Sequence, residues 1–149
     1  MFTNFASFEL ERWKGLYILY ISKNSFQKML KITIWLQKCA SKWIELAMDK
    51  KVTKFKIIES WVVRQFENEY NPVHYHDGHI SGVGYLKVPK FISKNNKKAK
   101  TDGTIDFISG NKMFLSESIY NHQPKVGDVI LFPNYLMHTA YPFVVDGER

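Results

Sequence analysis

The chain has 149 residues, 45% of them apolar and 15% aromatic, which is enough to bury one core and too apolar for a disordered polymer. Its net charge of +7 comes from lysines dense at 23–56 and 87–100, a spread that reads as a solvated basic surface before it reads as a nucleic-acid patch. A single cysteine, Cys39, excludes an internal disulfide; with no cleavable apolar leader and no span long enough for a bilayer, a cytoplasmic chain without a membrane partner is expected.

Residues 16–21 are apolar throughout and admit either a buried strand or part of a helix. From about residue 25 to 49, Met29, Ile32, Leu36, Cys39, Trp43 and Leu46 fall at spacings of three or four, which predicts an amphipathic helix covering a sheet. Beyond residue 50 the texture changes to short β-branched and aromatic runs. Strands are predicted at 55–66, 80–88, 103–108, 112–120, 128–132 and 137–145, punctuated by Asn71-Pro72, Asp77-Gly78, Asp102-Gly103, Ser109-Gly110 and Asp146-Gly147. Residues 93–102, rich in lysine and asparagine, read as a surface loop that could lid the mouth of a barrel. The expectation is one domain over 1–149, mainly β within an α+β chain. Residues 1–50 would be a helical support, and about 55–149 a β-sandwich or jelly-roll core.

The chemistry is concentrated in His74-Tyr75-His76 and in His138, which follows Phe132-Pro133-Asn134-Tyr135-Leu136-Met137. Two histidines spaced i, i+2 on an extended segment share a face, and a third from a distant strand can close a metal site. Pro72 holds Asn71 away from helix, in keeping with that geometry. Neutral imidazoles with open positions beside them suit iron, manganese, copper or zinc. His122 reads as a surface histidine in a turn, Asp77 as a turn residue with Gly78, and His79 as exposed or as a donor behind the site.

Four motifs in order carry a resemblance: Asn71-Pro72-Val73-His74-Tyr75-His76, the run from Ile80 to Pro89, the pair Pro124-Lys125-Val126-Gly127-Asp128 and Leu131 to His138, and the final Gly147-Glu148-Arg149. From about Ser60 onward the chain resembles the 2-oxoglutarate- and Fe(II)-dependent oxygenases, of the prolyl-hydroxylase-like superfamily, found in tailed phages of marine bacteria and in their hosts. The resemblance implies a double-stranded β-helix, a jelly-roll barrel of cupin type, with iron at its open end. It also implies the cofactors Fe(II) and 2-oxoglutarate, dioxygen as partner, and hydroxylation of an unidentified substrate as 2-oxoglutarate is decarboxylated to succinate.

Residue by residue, the family's H-x-D/E motif falls on His74 and its later metal histidine on His138. Position 76, where the wider superfamily has a carboxylate, is histidine. Either His76 completes a three-histidine site, the reading we prefer, or it stands behind the ligands and water completes the triad. Arg149 matches the arginine that binds the distal carboxylate of 2-oxoglutarate; Tyr85, with Arg64 or Gln65, is a candidate to line the pocket, although core packing is the reading preferred for Tyr85. In the family a further strand follows this arginine. A truncated barrel that binds 2-oxoglutarate poorly is therefore expected.

Three rivals are distinguishable. A cupin-like metal protein that does not use 2-oxoglutarate fits H-x-H, but the glutamate it needs downstream is replaced by Ile80 and Ser81. A zinc hydrolase would need the aspartate one place later than Asp77. A phage structural or nucleic-acid-binding domain using the lysine loop would bind DNA in a salt-sensitive way without its histidines.

Overall fold

A computed structural model of the chain describes residues 23–90 and 101–149, with side chains described from residue 30 onward. The apolar run at 16–21 and most of the lysine-rich loop at 93–102 lie outside the described residues. One helix, α1 (Lys23–Met48), precedes six strands: β1 (Asn71–His74), β2 (Ile80–Gly84), β3 (Ile105–Ile108), β4 (Ile119–His122), β5 (Val129–Pro133) and β6 (Met137–Ala140). They form two antiparallel sheets, one in the order β1-β6-β3-β4 and one pairing β2 with β5. The architecture is mainly β with one helix, as expected of a β-sandwich.

The core lies where the two sheets face each other. Phe107 of β3 meets Phe132 of β5 with ring centroids 5.0 Å apart, which joins the sheets. Ile130, Leu131 and Phe132 are consecutive and all buried, so both faces of β5 are covered. From α1, Leu36 and Ala40 enter the same buried cluster, with Cys39 and Trp43 packed against it. That is the middle of the predicted stripe. Its ends are open: Ile32 and Leu46 are exposed, because helical periodicity says which side is apolar and not how far the covered surface extends. On the far side of β3, the buried carboxylate of Asp106 accepts from Asn121 Nδ2 (2.6 Å) and the Tyr141 hydroxyl (3.0 Å), so each of its oxygens has a donor and β3 is tied to β4.

Three expectations need correction. Residues 55–66 do not form a strand: apart from isolated bridges, including Phe66 with Glu148, the segment carries no ladder. A strand needs a neighbour along its length, and here the pairing is only local, as where the Gln65 and Arg149 main chains exchange two hydrogen bonds of 2.9 Å. Residues 112–118 are a tight turn closed by Met113 and Ser116, with β4 starting only at Ile119. His122 is not in a turn. It ends β4, and its Nε2 donates to Asp128 Oδ2 at 2.9 Å, while Asp128 also accepts from the Lys125 main chain. The neighbouring turn holds Gly127 at φ 90°, where a side chain would be strained, and bonds it to the Tyr85 carbonyl at 2.8 Å.

Candidate metal centre

The register of β1 on β6 builds the centre. Asn71 lies opposite Ala140, yet His74 lies opposite His138, so β1 carries one residue more than its partner between these points. This is a bulge at Pro72-Val73, a place where a residue without an N–H is tolerated. Were this same sequence paired in a regular ladder onward from Asn71 and Ala140, His74 would fall opposite Met137 and on the far face; the bulge sets it opposite His138, on the same face.

His76 lies just past the end of β1, not on it. It is brought back by Asn134: the His76 N–H donates to the Asn134 carbonyl and Asn134 Nδ2 donates to the His76 carbonyl, 3.1 Å each. The Asn134 N–H in turn reaches the His79 carbonyl at 3.2 Å. One asparagine thus clamps the loop after His76 onto the turn that leads into His138. Sequence reading missed this role. Ring centroids are 4.2 Å apart for His74 and His138, and 5.0 Å for His76 with either. One candidate ligand atom from each lies within 4.8 Å of the others, and among the described residues this is the only such group of three.

The donor set fits a divalent metal. The Nδ1 atoms of His74 and His138 face the carbonyls of Pro72 (2.7 Å) and Leu136 (3.0 Å); a carbonyl only accepts, so each Nδ1 carries the proton and Nε2 keeps its lone pair for an ion. His138 is packed between Phe132 and Phe107, and the edge of Trp61 meets His76 at 5.4 Å. Burial, with the neighbouring imidazoles adding to it, lowers the pKa of His138 to about 4; burial and then His74 lower that of His76. Both rings are thereby kept neutral, the form that binds metal.

A pH dependence follows for the metal-free chain. Histidine in the unfolded chain takes a proton near 6.5, and His138 in the folded chain only near 4, so between these values the unfolded state binds more protons. Stability present above pH 6.5 is lost as the pH falls toward 4, by on the order of 3 kcal/mol. Urea unfolding at stepped pH is expected to show this slope, and His138→Gln to flatten it; equal slopes in both would contradict the burial argument.

Beside the triad is a cavity of about 280 Å³ whose walls include His74, His76, His138, Tyr85, Phe132 and Arg149. The Arg149 guanidinium is part-buried and its partners are neutral: Nη1 donates to the Gly103 carbonyl, Nη2 to Gln65 Oε1, and the Tyr85 ring lies 5.9 Å away. Among the described residues no carboxylate side chain pairs with it. Glu148 is engaged elsewhere, by Arg64 at 2.5 Å and Lys87 at 3.2 Å. Every predicted site residue thus lines this one cavity, Tyr85 in both of its expected roles, while Asp77 and His79 stay exposed outside it. A second, more open cavity of about 600 Å³ shares His74 and His76 and adds Trp61, Glu69 and Tyr70.

A family model described as "Putative 2OG-Fe(II) oxygenase" matches residues 59–149, a span that takes in all three histidines, Tyr85 and Arg149. The chain belongs to that family. Membership in these oxygenases brings an oxidoreductase chemistry that depends on Fe(II) and 2-oxoglutarate, and the histidine triad is compatible with the iron. No curated protein and no solved structure matches the chain. Helix α1 lies outside the matched span, and among the described residues no helix is long and apolar enough to cross a membrane.

Proposed function

We propose that the chain is a 2-oxoglutarate- and Fe(II)-dependent dioxygenase with a double-stranded β-helix core, in which His74, His76 and His138 hold the iron. Arg149, with Tyr85 beside it, takes the distal carboxylate of 2-oxoglutarate. The observation that carries this reading is one cavity shared by three converging imidazoles and a part-buried cation with only neutral partners. A charge withdrawn from water without a counter-ion favours an anionic ligand, and a planar guanidinium matches a carboxylate with two parallel bonds. Three neutral imidazoles would leave a divalent ion's charge uncompensated, so a dianion fits both ends of the cavity. Its size, near the lower end of the roughly 300–1,000 Å³ usual for ligand pockets, suits a small metabolite.

Bound iron would supply the dioxygen chemistry that couples decarboxylation of 2-oxoglutarate to oxidation, in the simplest case hydroxylation, of a second substrate. The chain contributes position and dryness: Val83, Ile105 and Phe132 wall the cavity with apolar surface. The second cavity, flanked by Trp61 and Tyr70 and sharing two of the histidines, is where the oxidised substrate would enter. Anaerobic addition of Fe(II) and then 2-oxoglutarate should raise a visible metal-to-ligand charge-transfer band. Absence of the band at saturating cosubstrate would overturn the proposal.

A further inference from the structure

Gln65 holds Arg149 at both its main chain and its side chain. The Gln65 N–H donates to the Arg149 carbonyl, the Gln65 carbonyl accepts from the Arg149 N–H, and Oε1 accepts from Nη2 of the guanidinium. The side-chain amide cannot be reversed. Its Nε2 faces two carbonyls, Glu69 at 2.6 Å and Tyr141 at 3.4 Å, and an oxygen placed there would find no donor. The residue is 6% exposed, so the amide has no solvent to turn toward. Gly103 takes the other guanidinium nitrogen through its carbonyl, which leaves the remaining N–H donors for the cavity.

We propose that Gln65 is a positioning residue that makes Arg149 a carboxylate receptor; this rests on the reading that Arg149 takes the distal carboxylate of 2-oxoglutarate. The reason is chemical. A neutral amide oxygen orients the guanidinium without cancelling its charge, whereas a glutamate in this place would grip it and neutralise it. An apolar side chain would leave the guanidinium free to turn and Nη2 without its acceptor.

The test compares two cosubstrates in the parent chain, Gln65→Met and Gln65→Asn: 2-oxoglutarate, and pyruvate, which has the same 2-oxo acid head but no distal carboxylate. In Gln65→Met the KM for 2-oxoglutarate is expected to rise roughly 10- to 100-fold with kcat little changed, as for loss of a hydrogen bond to a charged group. The KM for pyruvate should not move, so the preference between the two collapses. A role in folding alone would shift both cosubstrates together, and that outcome, or an unchanged preference, overturns the inference. Should circular dichroism show Gln65→Met unfolded, Gln65→Asn decides: its amide is one methylene too short to span Arg149 and the two carbonyls, so an intermediate loss of preference is expected and full retention refutes the role. A parent chain that binds no 2-oxoglutarate removes the underlying reading as well, whereas a parent that prefers it and a variant that prefers it equally removes only this one.

Discussion

His138→Gln is expected to lower affinity for a divalent metal by at least ~100-fold and to abolish turnover of 2-oxoglutarate, with the sheets intact. Even groups that only orient a metal ligand change affinity 10- to 100-fold when removed, so loss of a ligand from a set of three should cost no less. Glutamine keeps most of the volume between Phe107 and Phe132 and offers an amide N–H in place of the Nδ1 that bonds Leu136, but no imidazole nitrogen toward the other two histidines. His138→Ala differs in leaving a cavity at a position only 5% exposed, and should add roughly 2–4 kcal/mol of destabilisation. Cobalt(II) spectra of the two variants, read beside their urea midpoints, separate ligation from packing. Parent-like cobalt binding by His138→Gln would remove the triad from the metal site.

Arg149→Met is expected to raise the KM for 2-oxoglutarate by about 100-fold or more. Truncating one partner of a buried charge pair typically costs 2–5 kcal/mol, and each 1.4 kcal/mol is a factor of ten. Methionine keeps an unbranched side chain of similar length and loses the guanidinium over Tyr85, and with it the donors to Gly103 and Gln65 and the charge. The loss should be insensitive to added pyruvate-like acids, because these never use the guanidinium. A variant with the parent's KM for 2-oxoglutarate would show that the cosubstrate's far end lies elsewhere, and attention would pass to the Arg64 and Lys87 cluster around Glu148.

The helix was legible because a 3.6-residue apolar period is local information, and α1 (Lys23–Met48) lies within two residues of its predicted span. The strand at 105–108 was legible for a similar reason: Ile105 and Phe107 alternate toward the core between turn residues. Residues 55–66 and 112–118 look the same in composition but lack a partner in the right place. Strand propensity describes a residue that suits a pleated surface, and whether a surface is there is a non-local matter.

The sequence by itself determined the kind of chemistry. It placed three histidines, an arginine and a tyrosine in an order that resembles one oxygenase family, and the imidazoles are the right type of ligand for its metal. Their convergence was decided only by tertiary structure. The bulge at Pro72-Val73 sets which face His74 occupies, Asn134 brings His76 back across a gap of 58 positions, and Gln65 reaches 84 positions to orient Arg149. Each of these depends on the register between distant segments. Residue identity does not encode that register locally, because a shift of one place reverses every side chain in a strand.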